Sequence, residues 1–116
     1  MDTERARALL AAEREEVTSR LKEAEQAVEA DRETETQTGP GDSADYAQPL
    51  EDEEMDNAIA ERMRDRLDAI DRALRRLDEG TYGRSVRSGK PIPDERLEAD
   101  PAAELTVEEA RAEESR

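Results

Sequence analysis

The sequence has no cysteine, histidine, phenylalanine or tryptophan. Without thiols there can be no disulfide and no thiolate metal centre, and without imidazole there is no histidine base and no ordinary zinc ligand set. The only aromatic side chains are Tyr46 and Tyr82. A thick globular core is therefore excluded, because aromatic and large aliphatic groups supply most of the burial in such a core. No apolar run approaches the roughly 20 residues a membrane span needs, and the opening Met-Asp-Thr-Glu-Arg is unlike a secretory signal. The expectation is a soluble, cytoplasmic protein with no membrane partner.

What is abundant is charge. The 116 residues hold 33 acids and 18 bases, a net charge of −15, and 44% of the chain is charged. Such a composition lies close to that of disordered chains. The excess is concentrated: residues 31–56 contain ten acids, among them Asp42 and Asp45, against Arg32 alone. A localised acidic stretch points to a positively charged partner, and it argues against direct DNA binding, which needs basic surface.

Helical periodicity counters the tendency to disorder. Apolar residues fall at Leu10, Val17, Leu21, Ala24 and Val28, and again at Ile59, Met63, Leu67, Ile70, Leu74 and Leu77. Steps of three, four and seven mark the seam of a coiled coil. Between the runs, Gly39-Pro40-Gly41 and Pro49 break a continuous helix. The spacing predicts helices over about 3–36 and 50–79, folded back as an antiparallel hairpin with its tip at about 37–49. The helix-face arginines are expected to pair along their own helix, as in Asp68–Arg72 and Asp71–Arg75. Gly80 then suits a helix C-terminus. Residues 80–116 form a second, small module in which Thr106-Val107-Glu108-Glu109 fits a capping box opening a short final helix. The fold class is thus mainly α, in two parts, 1–79 and 80–116.

The stretch from Gly80 to Pro101 resembles the signature of the DksA/TraR family of RNA polymerase-binding regulators. That family shows G-x-Y-G-x-C-x-x-C-G-x-x-I-x-x-x-R-L-x-A-x-P leading into a second C-x-x-C. Gly80, Tyr82, Gly83, Gly89, Ile92, Arg96, Leu97, Ala99 and Pro101 match it. Ser85, Ser88, Thr106 and Glu109 occupy the four cysteine positions. Hydroxyls and a single carboxylate cannot stand in for soft, charged thiolates at neutral pH, so the resemblance implies a degenerate zinc-finger-like module without zinc. At the hairpin turn, Asp42-Ser43-Ala44-Asp45-Tyr46-Ala47 is similar to the family's D-x-x-D-x-A tip motif, matching at Asp42, Asp45 and Ala47.

The resemblance implies a monomeric regulator that inserts its hairpin into the secondary channel of core RNA polymerase, with the tip near the active centre. Asp100 stands where relatives often carry a base, and an acid there would repel phosphates, so coupling to the alarmone ppGpp is not expected. A different reading of the same residues is a coiled-coil adaptor that self-associates and binds another basic partner. Neither reading is enzymatic. The hydroxyls lack a histidine or lysine partner, and the acids of an exposed turn lack a dry pocket to tune them.

Overall fold

The computed structural model describes residues 1–37 and 47–115, with the side chains of 31–37 and 47–53 excepted. Four helices follow in order: α1 (Thr3–Gln37), α2 (Ala47–Glu79), α3 (Asp94–Ala99) and α4 (Val107–Glu114). Asp2 caps α1, its carboxylate accepting the Glu4 amide at 3.3 Å. Two carbonyls left over at the end of α2 are satisfied by the turn that follows. Thr81 N–H reaches the Arg76 carbonyl at 2.9 Å and Gly80 N–H reaches Leu77 at 3.4 Å, with Gly80 at φ 79°. That paired pattern needs a left-handed residue, which is why glycine stands there.

The second helix begins at Ala47, earlier than the expected 50, and so includes Pro49. A proline in the first helical turn forfeits no intrahelical bond, since those N–H groups have no partner. The short helix α3 was not expected at all, because six residues are too few to show a period. It is opened by Pro93, with Asp94 and Glu95 in its first turn.

Contacts divide the described chain into two compact units, Met1–Arg14 with Asp68–Arg116, and Glu15–Leu67. The composition change at Gly80 suggested a different cut. In the first unit, Arg7 meets Asp78 and Arg14 meets Asp71, each at 2.9 Å. Seven residues forward on α1 correspond to seven back on α2, so the helices run antiparallel. Ala6, Leu10, Ile70, Ala73 and Leu77 are buried there. The C-terminal segment adds a small core of Ile92, Leu97 and Ala103, against which Met1 and Tyr82 pack. Arg5 pairs with Glu98, and Arg72 with Glu104 at 2.7 Å, tying that segment to α1 and α2. Asp71 and Arg72, expected to pair along their own helix, thus reach other elements.

The second unit buries Val17, Ala24, Val28 and Ala60, and Arg64 of α2 meets Glu25 of α1 at 3.1 Å. One expected seam position is displaced. Ile59 is 37% exposed, while its neighbour Ala60 is 1% exposed. Among the described residues, no helix is long and apolar enough to cross a membrane.

Candidate functional site

Of the expected contact residues, Asp42 and Asp45 lie outside the described residues, and Ala47 is the first residue of α2. The positions corresponding to the family's cysteines are described, and the fold brings them together.

The turn at 83–92 is closed by an antiparallel bridge between Arg84 and Pro91. Ser85 N–H donates to the Lys90 carbonyl at 2.8 Å, and Gly89 N–H donates to the Ser85 carbonyl at 2.9 Å. Gly83 and Gly89 both sit at positive φ, 88° and 74°. Ser85 is buried, and its Oγ accepts the backbone N–H groups of Arg87 (3.1 Å) and Ser88 (3.2 Å). The same hydroxyl donates to Oε2 of Glu109 at 2.9 Å.

Glu109 is the meeting point. Its Oε1 accepts the Thr106 amide (3.1 Å) and the Thr106 hydroxyl (2.9 Å), while the Thr106 hydroxyl in turn accepts the Glu109 amide (3.3 Å). The capping box read from the sequence is therefore complete at the start of α4. Its carboxylate does more than cap, since the other oxygen reaches the 85–88 turn. The Ser85 hydrogen bond, helped by those from Thr106 and Ser88, holds the carboxyl well below its usual range, at about 2. A second tie joins the same two elements, an ion pair between Arg87 and Glu113.

These donors do not fit a zinc ion. Three are neutral hydroxyls, and both oxygens of the one carboxylate are already satisfied within the cluster. Among the described residues, no group of three or more histidine, cysteine, aspartate or glutamate side chains could hold a metal. The cluster is instead a hydrogen-bonded cross-link between a turn and a helix.

Tyr82 supports the turn from below. Its ring packs on the Ile92–Leu97–Ala103 core, and its hydroxyl donates to the Pro101 carbonyl at 2.8 Å. Burial pushes the phenol above its ordinary value of 10.0. Tyr82→Phe is expected to cost about 0.5–1.5 kcal/mol, as a half-buried carbonyl loses its donor. The wild type should also lose stability as pH rises past about 10, where the unfolded tyrosine ionises and the folded one resists. Denaturation midpoints for both proteins between pH 7 and 11 check this, and the phenylalanine variant should lack the tyrosine contribution. Asp100 uses its carboxylate locally, accepting the Ala102 amide at 3.2 Å.

One feature escaped the sequence reading. From Thr81 to Pro93 there is no acid, yet Arg84, Arg87 and Lys90 all fall there. In a chain of net charge −15, that run of bases was the signal available.

The antiparallel helices and the glycine-rich C-terminal turn define a helical-hairpin protein of the DksA type. No family model matches the chain. A solved structure of the transcription factor DksA2 from Pseudomonas aeruginosa superposes with a TM-score of 0.80 at 32% identity, over 98% of this chain and 84% of that one. General stress protein 16O of Bacillus subtilis is 42% identical over 65 residues, 56% of this chain and 40% of that protein. The RNA polymerase-binding transcription factor DksA of Caulobacter vibrioides is 40% identical over 67 residues, 58% of this chain and 47% of that protein. The matched stretch thus spans less than half the length of these two curated relatives. The chain belongs to the DksA/TraR family.

Proposed function

We propose that this chain is a non-enzymatic, cytoplasmic transcription regulator that binds core RNA polymerase through its secondary channel. The acidic segment around Asp42, Asp45 and Ala47 enters toward the active centre and alters initiation. The reading is carried by the likeness to DksA2, which extends over nearly the whole chain, including the two long helices that flank this segment. The charge distribution supports it, since ten acids against one base in residues 31–56 suit a pore lined by basic groups. The protein works without zinc, because the Glu109 cross-link occupies the positions where relatives place cysteine. It acts as a monomer and without ppGpp.

The test is a pull-down with core RNA polymerase in the presence of EDTA, competed by a known channel-binding factor. Binding should survive the chelator and yield to the competitor. Asp42→Asn/Asp45→Asn should bind at least tenfold more weakly, read as a shift in the titration midpoint. Binding that ignores both the competitor and the double substitution would rule the channel out. A mass in solution that grows with concentration would favour the self-associating adaptor.

A further inference from the structure

The sulfur atoms of this chain fall in three different surroundings. With no cysteine in the sequence, Met1, Met55 and Met63 are its only sulfur-bearing residues. Ser85, Ser88, Thr106 and Glu109, at the cysteine positions of the family signature, carry no polarisable sulfur for a peroxide to attack. Two-electron oxidation by peroxide is therefore directed to the thioethers, and their surroundings set the order in which they react.

Met1 is shielded. It packs against the core of Ile92, Leu97 and Ala103, and its side chain is 1% exposed. Met63 is half-buried on α2, where it lines a groove with Ile59 of the same helix and with Ala24 and Ala27 of α1. Arg20, Glu23 and Asp56 complete that lining, and a neutral oxidant is neither drawn nor repelled by their charges.

Met55 is different. At 65% it is the most exposed of the large apolar side chains among the described residues. Its neighbour one turn along the helix, Ile59, is itself 37% exposed, so neither its own position nor that neighbour closes the approach to the sulfur. An oxygen added there meets water, whereas one added at Met63 or Met1 must enter packed surroundings.

We propose that Met55 is a peroxide-reactive modification site, where a hydroperoxide converts the thioether to a sulfoxide while the chain stays folded. A lone pair on Sδ attacks one peroxide oxygen, and the S–O bond forms as the O–O bond breaks. The sulfur is oxidised by two electrons, and the other oxygen takes the proton of the first and leaves as water. The product exchanges a flexible apolar side chain for a polar one. A sulfoxide reductase reverses the change: a dithiol supplies two electrons, becomes a disulfide, and the oxygen departs as water. The site needs no partner and does not rest on the proposed function.

The test is treatment of the folded chain with hydrogen peroxide, quenched at intervals and cleaved after glutamate. That cleavage leaves Met1 in residues 1–4, Met55 in 55–61 and Met63 in 62–79, so mass spectrometry follows the added oxygen at each sulfur. Met55 should react at least threefold faster than Met63 and at least tenfold faster than Met1. In concentrated urea the three rates should lie within twofold of one another. Met55→Leu should lose the fast phase and keep the slow ones.

The chain oxidised at Met55 alone should keep the melting curve of the untreated protein. A methionine sulfoxide reductase with a dithiol should return it to its starting mass. Equal rates at the three sulfurs of the folded chain would overturn the site, as would a fast phase that survives Met55→Leu. So would a melting curve that falls with the first oxygen, because that oxygen would then be entering packed structure.

Discussion

Leu97→Ala is expected to destabilise the chain by about 2–5 kcal/mol, measured by urea denaturation. Leu97 is 1% exposed and sits in a cluster completed by Ile92, Ala103, Met1 and Tyr82. Its neighbours include only one other large buried aliphatic, so little can collapse into the space left by the truncation. Against a total stability of about 5–15 kcal/mol for an ordinary domain, that loss is large. The contrast is Ile59→Ala. Ile59 belongs to the apolar period of α2 just as visibly, yet it is 37% exposed, and its truncation should cost less than about 1 kcal/mol. Equal losses at the two positions would mean that the C-terminal core contributes no more than the exposed rim of the helices.

The second large effect concerns Glu109. Glu109→Ala removes the acceptor of the Ser85 hydroxyl and half of the capping box in one step. The amides of Arg87 and Ser88, which rest on the Ser85 hydroxyl, should then exchange with solvent at least tenfold faster, read by hydrogen exchange. Glu109→Gln should show an intermediate effect, since its amide oxygen can still accept one hydroxyl while the charge is gone.

The sign of the pH dependence follows from the depressed carboxyl. Folded, it titrates near 2; unfolded, near 4.5. The unfolded chain therefore takes up the proton first as pH falls. The advantage of Glu109 over glutamine is constant above about 4.5, shrinks below it and is gone near 2. Melting temperatures of wild type and Glu109→Gln across pH 2–7 should converge at the acid end. A constant gap would mean that the charge of the carboxylate does not matter.

Much of this protein was legible from local sequence alone. The two periodic runs, the helix stop at Gly80 and the Thr106–Glu109 cap each depend on residues within a few positions of one another. The family signature between Gly80 and Pro101 is likewise continuous in the chain, and the likeness to DksA2 agrees with it. The Asp42–Ala47 motif was also legible, but only as a pattern.

What the sequence left open was everything decided by how one element lies on another. Period and spacing could not show that Ala60 is buried while Ile59 is 37% exposed, because burial at each position depends on what packs against it. Nor could they show Arg14 and Glu104 as the partners of Asp71 and Arg72, which are 57 and 32 residues away. The capping motif predicted one oxygen of Glu109; the other meets Ser85, 24 residues back, only because the turn folds against α4. Short-range hydrogen bonds and apolar period are written into neighbouring residues. A bond between distant side chains exists only once packing has brought them within about 3 Å of each other.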